Sequence, residues 1–122
     1  MLRKSFIALA LLAGATVCAQ AGDAKNGAEV YKRCAICHTD DKGGADAQGP
    51  NLFGILGRKA ATRPGFVYSV PLQNSGVVWT EASLTKWVAG PARMVPGTKM
   101  VFPGITSKTQ QADVAAYLAS LK

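Results

Sequence analysis

Histidine is nearly absent from this chain: His38 is the only one in 122 residues. One imidazole cannot form a bis-histidine metal site within a single chain, so that class of centre is excluded. Cysteine is scarce as well. Cys18, Cys34 and Cys37 are the only three, too few for a disulfide-stapled scaffold. Cys18 lies in an apolar leader, which leaves Cys34, Cys37 and His38, one ligand short of a four-coordinate structural zinc site. No stretch before Cys34 alternates apolar and polar residues as a half-buried strand does, so a Cys-x-x-Cys pair in a thioredoxin-like strand–helix setting is also excluded. There is no internal repeat and no linker. Acidic side chains are outnumbered, 7 against 14 basic ones.

The leader reads as a secretory signal peptide. Arg3 and Lys4 form its basic start, Phe6 to Val17 is apolar apart from Thr16, and Ala19-Gln20-Ala21 is an A-x-A cleavage site. Residues 1–21 are therefore expected to be removed, leaving one domain over 22–122. The apolar run is shorter than the roughly 20 residues that span a bilayer, so no permanent membrane anchor is expected. Val17 before Cys18 also argues against a lipoprotein anchor. The exported domain keeps twelve basic and seven acidic residues, a net charge of +5. A modestly basic surface suits acidic protein partners. Export and the scattering of single basic residues exclude nucleic acid, and the expected location is the periplasm.

What is present is Cys34-Ala35-Ile36-Cys37-His38. Two cysteines three apart, followed at once by histidine, form the attachment pattern of c-type haem. The spacing follows from the chemistry. Each thiol adds to one vinyl group of the haem, and the next residue is then placed to give the iron an imidazole nitrogen. A cofactor held by two thioether bonds cannot leave, so a small domain can retain it.

The rest of the chain is helix-poor and punctuated by glycine and proline. Asp23 caps an expected helix over residues 24–33, with Ala24, Ala28 and Tyr31 on one stripe. Residues 39–78 carry little helical periodicity. So long a loop region argues against a compact domain unless it is functional, and here it would wrap the haem. Thr80 caps a second helix over residues 81–89, which Gly90-Pro91 ends. Ser107 and Gln110 form an expected capping box for the last helix, with Val114, Tyr117, Leu118 and Leu121 on its inner face. The expected fold is all-α, with three main helices and long loops around one haem.

The sixth iron position falls to methionine, a weaker ligand, water or nothing. Met1 leaves with the leader, so Met94 and Met100 remain. Met100 is favoured because it lies in the strap Pro96-Gly97-Thr98-Lys99-Met100, restrained by proline on both sides. Met94 follows Pro91, where packing is the ordinary role of methionine. Met/His ligation raises the haem potential and suits electron transfer.

Taken in order, the segments Cys34–Thr39, Gly49-Pro50-Asn51-Leu52, Gly57-Arg58-Lys59, Pro64-Gly65-Phe66-x-Tyr68, Gly76-x-x-Trp79, Pro96–Met100 and Tyr117-Leu118 resemble the class I c-type cytochromes of the cytochrome c and cytochrome c2 group. The resemblance covers nearly all of residues 22–122. It implies one haem c bound through Cys34 and Cys37, with His38 and Met100 as axial ligands. It implies that the Pro50 carbonyl accepts the other ring N–H of His38. Arg58, Tyr68 and Trp79 would hold a haem propionate, with Thr98 doing the same near the strap. Lys32, Arg33, Arg93, Lys99 and Lys108 would form a basic ring around the haem edge, thinner than in mitochondrial members because Ala47, Ala92 and Ser107 stand at positions where those often carry lysine. Trp87 stands where mitochondrial members have a tyrosine near the methionine ligand, and Leu72 replaces a common buried asparagine.

The implied function is a soluble, monomeric one-electron carrier and not an enzyme. A quinol-oxidising cytochrome complex would be the donor, and an oxidase, a peroxidase or a photosynthetic reaction centre the acceptor. The competing readings are a haem peroxidase or gas sensor with an open sixth site, and an electron-entry subunit of a larger complex.

Overall fold

The computed structural model describes residues 10–14 and 22–122. The leader read over residues 1–21 lies, but for 10–14, outside the described residues, and so does the cleavage site at 19–21. Among the described residues no helix is long and apolar enough to cross a membrane.

The first helix, α1, runs Ala24–Tyr31. The Asp23 carboxylate accepts from the Asn26 N–H at 3.1 Å, a cap of the kind that contributes about 1 kcal/mol. α1 stops two residues before the expected end. Lys32 and Arg33 donate to carbonyls three residues back, Glu29 at 3.3 Å and Val30 at 3.2 Å. The tightened turn continues as single-turn bonds to His38, whose N–H donates to the Cys34 carbonyl at 2.9 Å. The cysteines therefore sit on a wound segment, not on an extended one.

The last helix, α5, spans Lys108–Ala119 and α3 spans Glu81–Ala89. α1 packs across α5, and α3 packs on α5 as well. The α1–α5 crossing is close because of Gly27: a Cβ there would lie 2.0 Å from the Asp113 carbonyl oxygen. The Asp23 N–H also donates to the Asp113 carboxylate at 2.8 Å. Val114 and Ile105, both essentially unexposed, sit at the centre of the core. The reciprocal capping box forms at α3, between Thr80 and Ser83. At α5 only half of the expected box forms: Ser107 accepts from the Gln110 N–H, while it is Gln111 that reaches back, to the Ile105 carbonyl at 2.6 Å.

Two one-turn helices were not expected. α2 covers Val70–Gln73, capped by Ser69 and with proline in its first turn. α4 covers Pro91–Met94 and begins directly after α3. The residues between α1 and α3 otherwise form loops, joined by one isolated antiparallel bridge between Lys59 and Val78. The architecture is all-α, and its loops, with side chains of α3 and α5, line a cavity.

Candidate cofactor site

The turn that follows α1 brings Cys34, Cys37 and His38 to one wall of a cavity of about 370 Å³. Both cysteines are free thiols, partly exposed. Burial pushes the Cys34 thiol up to about 11. The His38 ring is mostly buried, and burial lowers its pKa below the ordinary 6.5, partly opposed by its bond to Pro50. The imidazole is thus neutral at pH 7. Its Nδ1 lies 2.7 Å from the Pro50 carbonyl oxygen. A carbonyl only accepts, so Nδ1 carries the proton and Nε2 keeps a free lone pair. Glycine is required beneath the ring, since a Cβ on Gly49 would lie 2.4 Å from His38 Cε1.

The loop carrying Pro50 is tied down by Asn51, which is 2 % exposed. Its side chain donates to the Thr39 hydroxyl at 2.8 Å and the Asp41 carbonyl at 3.0 Å, and accepts from the Phe53 N–H at 3.0 Å. Its own N–H donates to Asp46 at 2.8 Å. Asp46 also accepts from Arg63 Nε at 2.5 Å, which staples this loop to the next.

The cavity walls are mainly apolar, formed by Leu52, Leu72, Leu84, Leu118 and the Trp79–Trp87 pair. The two indoles meet edge to face, 5.3 Å between centroids. Arg58, Tyr68 and Thr98 supply polar groups on the lining. Among the described residues the ion pairs are Lys32–Glu29 and Arg63–Asp46, so the half-buried Arg58 guanidinium faces the cavity with no carboxylate of the chain. Burial raises the Tyr68 pKa, with the Arg63 backbone and the Arg58 charge acting the other way.

The strap lines the same cavity with Thr98, Lys99 and Met100. Val95 anchors it in the core, 6 % exposed, and the Thr98 N–H donates to the Val95 carbonyl at 3.1 Å. Met100 lines the cavity. Met94 does not; it packs against the core from α4. The donor set fits a haem: two thiols, one imidazole nitrogen on a locked ring, one thioether sulfur, a flat apolar cradle and an unpaired cation for a carboxylate group. The nine residues assigned to the cofactor and its iron all line this one cavity: Cys34, Cys37, His38, Pro50, Arg58, Tyr68, Trp79, Thr98 and Met100.

The basic ring is less complete than expected. Of the five residues, Arg33 and Lys99 line the cavity. Lys32 pairs with Glu29 at 2.6 Å, and Arg93 folds back onto the Ala89 carbonyl at 2.9 Å. Lys108 lines a separate hollow with Gly22, Asp23 and Asp113. Lys99 is itself engaged: its amine lies 4.5 Å from the centre of the Phe66 ring and donates to the Val67 carbonyl. Sequence reading missed the Asp46–Arg63 staple and a second contact, in which the Tyr117 hydroxyl donates to Asp40. That hydrogen bond, with burial, pushes Tyr117 up to about 12. Neither pair carries a local sequence signal, because the partners meet only in the folded chain.

A protein-family model described as cytochrome c matches residues 24–122. Cytochrome c of Sesamum indicum is 46% identical over 98 residues, covering 80% of this chain and 88% of that protein. Cytochrome c2 of Rhodomicrobium vannielii is 45% identical over 100 residues, covering 82% and 80%. Among solved structures, cytochrome cH from Methylobacterium extorquens superposes with a TM-score of 0.75 at 41% identity, covering 81% of this chain and 99% of that one.

Proposed function

The chain belongs to the cytochrome c family of one-electron haem carriers, and we propose that it works as a freely diffusing carrier outside the cytoplasm, with His38 and Met100 as the two axial ligands of its covalent haem. The observation that carries this reading is the one cavity that Cys34, Cys37, His38 and Met100 all line and Met94 does not. Haem held by a histidine and a methionine supplies a one-electron centre of raised potential.

The chain's own residues do the rest. The Pro50 carbonyl holds the His38 ring in one tautomer and one orientation, so a ligand bond made by Nε2 needs no rearrangement when the charge of the centre changes. The leucines and indoles make the lining largely apolar, which strengthens electrostatic contacts inside it. Arg58, Tyr68, Trp79 and Thr98 would hold the haem propionates. Met100, carried by the strap, would supply the second ligand to the iron and so leave no open position for peroxide or a gas. Arg33 and Lys99 at the rim favour an acidic docking face on the partner.

The apolar leader with its A-x-A end supports export to the periplasm, as does the covalent attachment pattern. The family role is electron exchange with redox partners. For this chain we assign a quinol-oxidising cytochrome complex as donor and an oxidase, a peroxidase or a reaction centre as acceptor. The test is the ferric spectrum of the purified holoprotein. A low-spin spectrum with the weak far-red methionine–iron band is expected. A high-spin spectrum would instead favour the open-site peroxidase or sensor. Gel filtration of native extract separates a free monomer from a subunit of a larger complex.

A further inference from the structure

The segment that carries His38 is also held from behind, by residues that the ligand assignment does not use. Tyr31, in the last turn of α1 and 5 % exposed, donates its hydroxyl to the His38 carbonyl oxygen at 3.3 Å. Tyr117 of α5 donates its hydroxyl to Oδ2 of Asp40, two residues beyond His38. The two rings are in contact, 5.1 Å between centroids and tilted by 47°. An aromatic pair drawn from the first and last helices thus ends in two hydroxyls, both aimed at residues 38–40. A phenylalanine pair would fill the same volume, so packing does not explain the hydroxyls.

Asp40 is the reason they matter. It is half-buried, and no Lys or Arg among the described residues forms an ion pair with it. Its one side-chain contact is the Tyr117 hydroxyl. A bare negative charge this close to the histidine stabilises the oxidised, more positive state of whatever redox centre that histidine holds. A hydroxyl donating to the carboxylate disperses part of that charge through a charge-assisted bond. We infer that Tyr31 and Tyr117 are positioning residues for His38, and that the Tyr117 hydroxyl masks Asp40 so that the centre held by His38 has a higher reduction potential than a bare carboxylate would permit. The inference rests on the reading of His38 as a haem ligand.

The test uses holoproteins carrying Tyr117→Phe, Tyr31→Phe, Asp40→Asn and the Tyr117→Phe/Asp40→Asn pair, with Val114→Ala as a packing control in the same helix. Reduction potential, the far-red methionine–iron band and the thermal midpoint are measured on each. Tyr117→Phe should lower the potential and Asp40→Asn should raise it. In the Asp40→Asn background the Tyr117→Phe shift should vanish. Tyr31→Phe, which takes the hydroxyl donor from the His38 carbonyl, should lower the potential as well. Val114→Ala should lower the thermal midpoint most and leave the potential in place. An unmoved potential in Tyr117→Phe overturns the masking role, and so does an equal shift without Asp40 or an equal shift in Val114→Ala. An unmoved potential in Tyr31→Phe removes Tyr31 from the assignment. The unmutated holoprotein separates the two readings: a missing band defeats the ligand assignment, whereas a band with an insensitive potential defeats only the inference drawn from the tyrosines.

Discussion

The two faces of the cavity are built on different terms. On the histidine side several hydrogen bonds cross the loop between Cys37 and Leu52. The Cys37 carbonyl accepts from Gly49 at 2.7 Å, the Thr39 carbonyl from Leu52 at 2.8 Å, and the Thr39 hydroxyl donates to Ala45 at 2.6 Å. Asn51 adds the bonds that fix Pro50 over the imidazole. The methionine side has far less. Val95 is buried, the Thr98 amide and the Lys99 amine are engaged, and Val101 directly after Met100 is 97 % exposed. One face is over-determined and the other is held at a few points. With His38 and Met100 as the proposed ligands, the methionine would be the one open to exchange and the histidine the one that stays.

Matched insults to the two faces give the widest contrast. Gly49→Ala puts a methyl group 2.4 Å from the His38 ring on a loop too heavily bonded to yield. The expected result is loss of low-spin holoprotein, read from haem spectra and purification yield. Gly97→Ala sits at φ 85° in the strap, where its Cβ would meet Pro71 Cγ at 3.0 Å. The left-handed conformation costs about 1–2 kcal/mol, but the strap is free to shift, so a folded low-spin protein of lower stability is expected. Comparable damage from the two substitutions would remove the contrast.

The next largest effect divides the two methionines. Met100→Ala should abolish the far-red band and open the iron to carbon monoxide. Met94→Ala should keep the band and lower unfolding free energy by about 2 kcal/mol, the lower end for truncating a packed methionine. Loss of the band in Met94→Ala would transfer the ligand role to α4.

These sites differ in how far the sequence alone revealed them. The haem-attachment turn, the capped starts of α1, α3 and α5, and the strap are local patterns, and each was readable because one short segment both forms the structure and names its chemistry. α2 and α4 are single turns, too short for apolar periodicity to show, and Pro71 and Pro91 read as breakers although each sits at a helix start. The basic ring was misjudged for a different reason. Position on a surface depends on the path of the whole chain, and Lys108 at the start of α5 is carried to another hollow. The Tyr117–Asp40 contact joins residues 77 apart, and nothing in either neighbourhood announces it.

A smaller effect belongs to the staple on the histidine side. The Asn51 N–H foremost, aided by the Arg63 side chain, holds the Asp46 pKa below its ordinary 3.8, against the opposing effect of desolvation. A carboxylate whose folded pKa is depressed binds protons less readily than it does in the unfolded chain. Its stabilising effect is then full above the unfolded value, near 4, and is lost as pH falls through the folded one. Urea midpoints measured from pH 7 down to pH 3 should fall in the unmutated protein. In Asp46→Asn the midpoint should start lower and fall less steeply at the acid end. A parallel pair of curves would show that the staple carries no pH-dependent stability.

The smallest effect tests the rim. Arg33 and Lys99 flank the cavity mouth, while Lys32 is compensated by Glu29 and Lys108 lies elsewhere. Electron transfer to an anionic reagent such as hexacyanoferrate(III) should slow as salt is added, because the screening length contracts to about 8 Å at physiological ionic strength. Unpaired charges lining the cavity act directly on the approaching anion, whereas Lys32 is paired with Glu29 and Lys108 lines another hollow. Arg33→Gln and Lys99→Gln should therefore flatten the salt dependence visibly. Lys32→Gln and Lys108→Gln, which change the net charge by the same single unit, should flatten it much less. Equal flattening by all four would mean that the anion senses the net charge of the protein and not a local rim. The methionine face would then contribute a ligand to the cavity but no docking charge.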